Sequence, residues 1–255
     1  MMATAPPQPQ DLTSPESKDA GVHKDEMTVF QVENRLFRVH RHFLAENSLV
    51  FSSMFSLPRT TATTGDSTAE AEGTSDANPI HLPGVTELEF ETLLRYFYKS
   101  MHDGFSLPQP SWIALLSIAH HYEFLNVRER AIREIYGPAA QQPQDHMLLI
   151  SVAEKYDVSP QHLIPSLVSL VTRPQPLSEG EVASYSALTV SRIAHAREDF
   201  VRRTVNPPPL QPGWLPAVPN GPSWKEGVAR DVVCKIWQVQ NDDESPRPSR
   251  RVFSF

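Results

Sequence analysis

The alternation of apolar and polar residues changes along the chain, and each pattern predicts a different element. Residues 28–32 and 36–39 alternate with a period of two, which predicts two short strands joined by a turn at 33–35. A short helix is expected to follow over 40–46. The next helix, 49–55, carries five large apolar residues, more than one face of so short a cylinder can hold, so we expect burial on more than one side.

Polar residues at fixed offsets predict where these helices begin and end. Asn47 tolerates the left-handed conformation that ends a helix, and Ser48 accepts N–H groups at the start of the next. Thr86 and Glu89 have the spacing of a capping box at the start of a helix over 86–98. Further helix starts are predicted at Ser111, Asn126, Asp145, Ser159, Ser178 and Ser223.

No strand pattern follows residue 137, so 138–204 is predicted to be an all-helical extension, in which Pro165 kinks or shortens a helix. Polar and proline-rich tracts predict the irregular segments. Residues 1–26 should be disordered, and 58–78 should be a flexible insertion. Residues 205–222 contain seven prolines and read as an extended linker. The last residues, 241–255, should be frayed.

A final amphipathic helix is predicted over 223–240. Its apolar stripe consists of Trp224, Val228, Val232, Ile236 and Val239. Two arrangements are open: the helix folds back onto the helical extension, or it docks into a groove of a partner protein. Trp224 and Trp237 would be the anchors in either arrangement.

Composition narrows the function classes. The net charge of −7 argues against general binding of nucleic acid, because phosphate contacts need clustered Lys and Arg. The single cysteine excludes an intramolecular disulfide and fits a reducing compartment. Neither a signal peptide nor a membrane-spanning run is visible. We therefore expect an intracellular protein, cytoplasmic or nuclear, that binds neither nucleic acid nor membranes.

Residues that could carry chemistry are few. The chain has no phosphate-binding glycine loop, zinc-protease motif or nucleophile elbow. His40 and His42 straddle a strand-to-helix junction, and His120 and His121 point about 100° apart on a helix, so packing or exposed roles are favoured over metal binding. Cys234 is either a reactive thiol beside a lysine or a small apolar filler. We expect no enzymatic activity, cofactor or metal.

One ordered set of residues resembles the signature of the BTB/POZ domain family. The set is Phe37, His40, Leu44, Ser48, Phe51, Met54 and Phe55. The downstream segments 80–100 and 112–132 look like the third strand and remaining helices of that family, so the resemblance covers Met27–Tyr136. The polar insertion and the NPIHLPGV segment look most like the expanded fungal branch. The resemblance implies an α+β BTB/POZ domain over 27–137, built of short strands and helix hairpins.

The resemblance also implies a function in binding proteins. Many relatives dimerise through the helix hairpin, which points to self-association through Phe43, Leu49 and Val50, and to a scaffold whose other partners are unknown. Many also carry an acidic residue at the start of the first strand, where this chain has Met27, so their charged dimer pocket does not carry over.

The alternative function is a substrate adaptor for a cullin-type ubiquitin ligase. The family's cullin contacts match Leu57, with Arg59 where better adaptors have glutamate, and Tyr98 supplies a second contact. An enzyme with unrecognised chemistry is the third hypothesis. The absence of any zinc finger, kelch repeat or other recruitment motif weakens both the adaptor and the transcription-factor interpretations.

Overall fold

The computed structural model describes residues 26–57, 71–99, 105–137, 145–205 and 222–239. The strands are β1 (Met27–Val32), β2 (Arg35–His40) and β3 (Ile80–His81). The first helices are α1 (Arg41–Asn47), α2 (Leu49–Ser56), α3 (Glu87–Lys99), α4 (Gln109–His121) and α5 (Leu125–Tyr136). The later helices are α6 (His146–Lys155), a 3₁₀ helix (Pro160–Leu163), α7 (Ile164–Thr172), α8 (Glu179–Ser184), α9 (Ala187–Val205) and α10 (Pro222–Trp237). Within these described ranges the strands are confined to the first part of the chain and only helices follow, which confirms the predicted α+β class.

The sheet has the order β2-β1-β3, with β1 and β2 antiparallel and β3 parallel to β1. Phe30 and Phe37 lie opposite each other in the ladder and are both buried. Their rings contact Phe90 of α3, with centroids 5.7 and 5.1 Å away. The alternation seen in the sequence thus fixes which face of the hairpin packs on the helices.

Residues 71–78 correct part of the predicted flexible insertion. The Gly73 carbonyl accepts the Val29 N–H at 2.8 Å, and the Gly73 N–H donates to the Asn78 carbonyl at 2.7 Å. Asp76 accepts two bonds from the Arg38 guanidinium, at 3.2 and 2.7 Å. This turn extends the sheet beside β1, so it is a structural segment rather than a free loop. The remainder of that insertion, 58–70, lies outside the described residues.

Helix starts follow some of the predicted caps and not others. The capping boxes of α3 and α8 are present, and the Asp145 carboxylate accepts two N–H groups at the start of α6. Ser111 is not a cap, because α4 begins at Gln109 after Pro108. The first helical turn tolerates Pro110, which has no N–H to leave unpaired. Helix α5 begins one residue before the predicted cap Asn126.

The helical extension packs against the first part of the chain through α5. Arg128 donates to the Tyr156 and Asp157 carbonyls at 3.1 and 2.7 Å. The Tyr136 hydroxyl donates to the Leu149 carbonyl at 2.8 Å. Pro165 lies in the first turn of α7, where the preceding 3₁₀ helix has ended, so it starts a helix instead of kinking one. One hydrophobic core runs through both parts.

Helix α10 packs against α7 and α9, which is the folded-back one of the two predicted arrangements. The face that α10 buries is rotated relative to the predicted stripe. Of the stripe residues only Val232 is buried, and the others are half-buried. The buried residues are Ala229, Val232, Val233, Cys234 and Trp237. Small residues such as Ala229 and Cys234 permit close helix approach, which a count of large side chains does not reveal. Of the predicted tail 1–26 and linker 205–222 only residues 26, 205 and 222 are described, and the predicted tail 241–255 lies wholly outside the described residues.

Candidate functional site

The α1–α2 hairpin leaves large apolar side chains on the surface. Among the residues of α2 only Phe51 is buried, whereas Leu49 is 69% exposed and Val50 38% exposed. Leu57, directly after α2, is 68% exposed. The predicted burial of this helix on more than one side is therefore not achieved within one molecule. A partner surface would remove these side chains from water.

Ser48 holds the hairpin in place. Its hydroxyl accepts the Phe51 N–H at 3.1 Å and donates to the Tyr122 carbonyl at 2.6 Å, which joins α2 to the end of α4. The predicted role of Ser48 as a helix cap is confirmed. Asn47 differs from the prediction, because it is the last residue of α1 with no left-handed backbone, and its amide donates to the Phe43 carbonyl at 2.9 Å.

Tyr98 is fixed by the strand-to-helix junction before α1. Its hydroxyl accepts the His40 N–H at 3.2 Å and lies 2.7 Å from His40 Nδ1. Phe43 stacks on Phe97 with centroids 5.8 Å apart and meets the Tyr98 ring edge-on at 4.9 Å. Of the three predicted self-association residues, Phe43 is therefore half-buried in packing against α3, whereas Leu49 and Val50 are open. Tyr98 remains 40% exposed.

Arg41 lies at the other end of the hairpin, beside the end of α2, and the sequence analysis did not single it out. It forms an ion pair with Glu26 at 3.0 Å and donates to the Phe55 carbonyl. Its guanidinium carbon lies 4.3 Å from the centroid of the Phe55 ring. A cavity of about 260 Å³ opens beside this group, between the start of β1, the end of α2 and the 71–74 turn. Its apolar lining includes Met27, Met54, Phe55, Leu57 and Ile80.

The histidine pairs are not arranged around a common point for a metal. His40 and His42 have ring centroids 5.9 Å apart, but Nδ1 of His40 is engaged by Tyr98. The exposed rings of His120 and His121 contact different tyrosines, Tyr156 and Tyr122. Among the described residues no group of three or more His, Cys, Asp or Glu side chains could hold a metal ion.

Several acid–base groups of the helical extension have perturbed pKa values, and each shift has a structural cause. The Arg173 guanidinium, at 2.6 and 2.8 Å, lowers the pKa of Glu181 to about 2. Burial raises the pKa of Glu154, which caps the start of α9, but hydrogen bonds from Ser186 and Thr189 together outweigh it and lower that pKa. Burial raises the pKa of Tyr185 to about 12. These groups stabilise helix junctions.

The predicted C-terminal anchors are already in contact with the chain itself. Trp237 is buried at the interface of α10 with α7 and α9, and Trp224 is half-buried. A role in binding a partner would require α10 to leave this position. Cys234 is buried on the same face, as a small apolar side chain would be. Of the suspected cullin contacts, Leu57 and Tyr98 are exposed, and Arg59 lies outside the described residues.

Sequence reasoning located the hairpin and singled out Leu49 and Val50 but missed two features. The His40–Tyr98 bond joins residues 58 apart, and nothing local in the sequence signals it. The cavity beside Arg41 is lined in part by the 71–74 turn, and the low-complexity composition of that segment did not predict a turn. Gly73 lies against Thr28 of β1 and has a positive φ. A glycine inside the insertion was therefore the one local sign in the sequence that this segment forms a turn.

Comparison with known proteins agrees with this geometry. The family model of the BTB/POZ domain matches residues 27–138. No curated protein matches the chain. In the part of the chain that the structure describes, no helix is both long and apolar enough to cross a membrane. BTB/POZ domains are protein–protein interaction modules. Residues 27–138, with their short strands and helix hairpins, thus form a BTB/POZ domain that a helical C-terminal region follows.

Proposed function

We propose that the chain is a scaffold that self-associates through the α1–α2 hairpin and binds further proteins while associated. The observation that carries this proposal is the exposure of Leu49 and Val50 on a rigidly capped helix. Burying apolar surface contributes about 25 cal/mol for each Å² removed from water. Preorganisation by Ser48 means that little conformational entropy is lost when the helix docks.

The location of the hairpin supports a symmetric contact. Both exposed side chains lie in the first turn of α2, which packs beside the Tyr122–Phe124 end of α4 through Phe51. A two-fold interface uses the same patch on both molecules, so one exposed apolar patch is sufficient to form it. The domain family typically mediates both homo-oligomerisation and binding of other proteins.

The proposal is tested by charge substitution on the patch. Leu49→Asp combined with Val50→Asp should convert a dimer into a monomer, because the interface would bury two carboxylates without partners. Leu188→Asp is the matched control, since Leu188 is 59% exposed on α9, outside the hairpin. Light scattering coupled to gel filtration gives the masses. Equal masses for both variants and the native chain would show that the hairpin does not form the interface.

A second candidate function is that of an adaptor for a cullin-type ubiquitin ligase. It is favoured by Leu57, which stands 68% exposed directly after α2, and by the partly exposed ring of Tyr98. Two places after Leu57, Arg59 puts a positive charge where stronger adaptors of the family have glutamate. Unfavourable charge at an interface costs several kcal/mol, so native binding should be weak.

Calorimetric titration with a cullin N-terminal region tests the adaptor function. The native chain should bind weakly or not at all, and Arg59→Glu should increase the affinity. Leu57→Asp should abolish whatever binding is present, because it removes the apolar contact. Submicromolar binding by the native chain would contradict the claim that the charge of Arg59 weakens cullin binding. An unchanged affinity of Arg59→Glu would show that residue 59 does not lie at the interface.

A further inference from the structure

The cavity beside Arg41 has two kinds of lining. Met54, Phe55 and Leu57 of the α2 end and Ile80 of β3 give it an apolar wall. Glu26 and Glu72 add two carboxylates. At about 260 Å³ the cavity is large enough for one aromatic side chain. Arg41 neutralises Glu26 through their 3.0 Å ion pair, which leaves the charge of the exposed Glu72 uncompensated by any described residue.

The backbone of β1 adds a second recognition element at the same place. Along an antiparallel strand, alternate residues direct their N–H and C=O groups to opposite edges. The Val29 N–H is directed away from β2, to the Gly73 carbonyl, so the backbone groups of Met27 face the same edge. No described residue pairs with them. Among the described residues, the strand position beside the cavity is therefore vacant.

These features together define a ligand class. A vacant edge binds an extended peptide, and pockets beside it select alternate side chains. The apolar wall selects a large apolar or aromatic side chain, and Glu72 selects an adjacent Lys or Arg. The expected ligand is an extended segment in which basic residues adjoin aromatic ones.

We propose that this site binds the chain's own segment Arg250–Phe255. That segment reads RRVFSF, with two arginines followed by aromatic residues at every second position, 253 and 255. Alternate side chains of an extended segment lie on the same face of the sheet it joins, so both rings can face the apolar wall of the cavity while the backbone pairs with the edge. Among the residues beyond α10, this segment alone combines charge opposite to that of Glu72 with aromatic side chains.

The chain between α10 and this segment is long enough. Residue 239 is the last described one, and the 11 residues from 240 to 250 can span at most about 36 Å when fully extended. A compact chain of this size has a radius of gyration of about 18 Å. The connecting residues can therefore extend about twice the radius of gyration, which lets the segment contact surfaces away from α10 on the same molecule. Binding there would cover Leu57 and make that side chain unavailable to partners.

Hydrogen exchange on the full chain tests the proposal through a charge swap. In the native protein the amides of 251–255 and of Met27 should exchange at least about ten-fold more slowly than unstructured amides. Glu72→Arg should accelerate both by about five-fold or more, and so should Arg250→Glu with Arg251→Glu. Combining the three substitutions should restore protection, because the pair of charges is re-formed in reverse.

A control variant shows whether protection depends on this cavity or on negative charge elsewhere on the surface. Glu46→Arg changes an exposed carboxylate on α1 outside the cavity and should leave exchange unchanged. Unstructured exchange rates at 251–255 in the native chain would overturn the proposal. Protection that survives Glu72→Arg would overturn it as well, by placing the segment at a different surface. Protection that rises between 1 and 50 µM protein would assign the site to the segment of a second chain and would also overturn it.

Discussion

At the scale of single residues, Ser48, Gly73 and Glu181 determine much of the local geometry. Ser48 satisfies two backbone groups and so joins the start of α2 to the end of α4. Gly73 has φ +80° and lies against Thr28 and Ile80. Glu181 completes a capping box and an ion pair with Arg173 simultaneously. Each is a small group whose replacement leaves a specific polar or steric defect.

Gly73→Ala should destabilise the domain. An added Cβ would lie 2.8 Å from Ile80 Cδ1 and from Thr28 Cγ2, and alanine rarely adopts φ +80°. We expect a loss of about 2–4 kcal/mol from strain and overpacking together. Gly84→Ala is the matched control, because Gly84 has φ +76° with no atom within 4 Å of the added Cβ. Urea unfolding should show a clearly larger loss at 73 than at 84, and equal losses would mean that the 71–78 turn does not pack on the sheet.

The Glu181–Arg173 pair predicts that the free energy of unfolding depends on pH. The pKa of Glu181 falls from its ordinary 4.5 to about 2 in the folded chain, so the folded state favours the carboxylate. The resulting stabilisation is present above pH 4.5 and is lost as the pH falls toward 2. Glu181→Gln should therefore lower the free energy of unfolding by about 1–3 kcal/mol at pH 7.

The difference between native chain and Glu181→Gln should shrink steadily over the same acid range. Glu179→Gln, in the first turn of α8 but exposed, serves as the control and should have little effect at any pH. Thermal unfolding at several pH values measures both. A constant difference between Glu181→Gln and the native chain down to pH 2 would rule out the carboxylate charge as its cause.

At the scale of elements, local signals located the helices, and tertiary contacts decided their faces. The capping boxes at Thr86 and Ser178 and the cap at Asp145 are short-range hydrogen-bond patterns, so the sequence contains all of their information. The rotated face of α10 could not be found this way. Its neighbours α7 and α9 lie earlier in the chain, and they bury Ala229 and Val233, which the predicted stripe left out.

The packing of α10 makes a testable element-scale prediction. Val233→Asp places a carboxylate on the fully buried face and should release the helix, at a cost of several kcal/mol. Lys235→Asp changes the exposed face and should leave the helix in place. Amide exchange over 228–238 should be slow in the native chain and in Lys235→Asp but fast in Val233→Asp. Fast exchange in the native chain would favour the docking of α10 on a partner instead.

At the scale of the whole molecule, one core links a BTB/POZ domain to its helical extension and leaves apolar residues of the α1–α2 hairpin open. The order of Phe37, His40, Ser48 and Phe51, taken together with the downstream segments 80–100 and 112–132, predicted the domain. The 71–78 turn could not be predicted, since its attachment depends on Arg38 and Val29, 30 and more residues away. The exposure of Leu49 is the consequence that matters for function.

The proposed scaffold function requires that this exposed hairpin joins two molecules. Sedimentation equilibrium of the full-length native chain between 1 and 100 µM is the decisive experiment. We expect a reversible transition from the 28.7 kDa mass of one chain to twice that mass, weakened by Leu49→Asp with Val50→Asp. A single species of 28.7 kDa across the whole concentration range would contradict self-association through the hairpin.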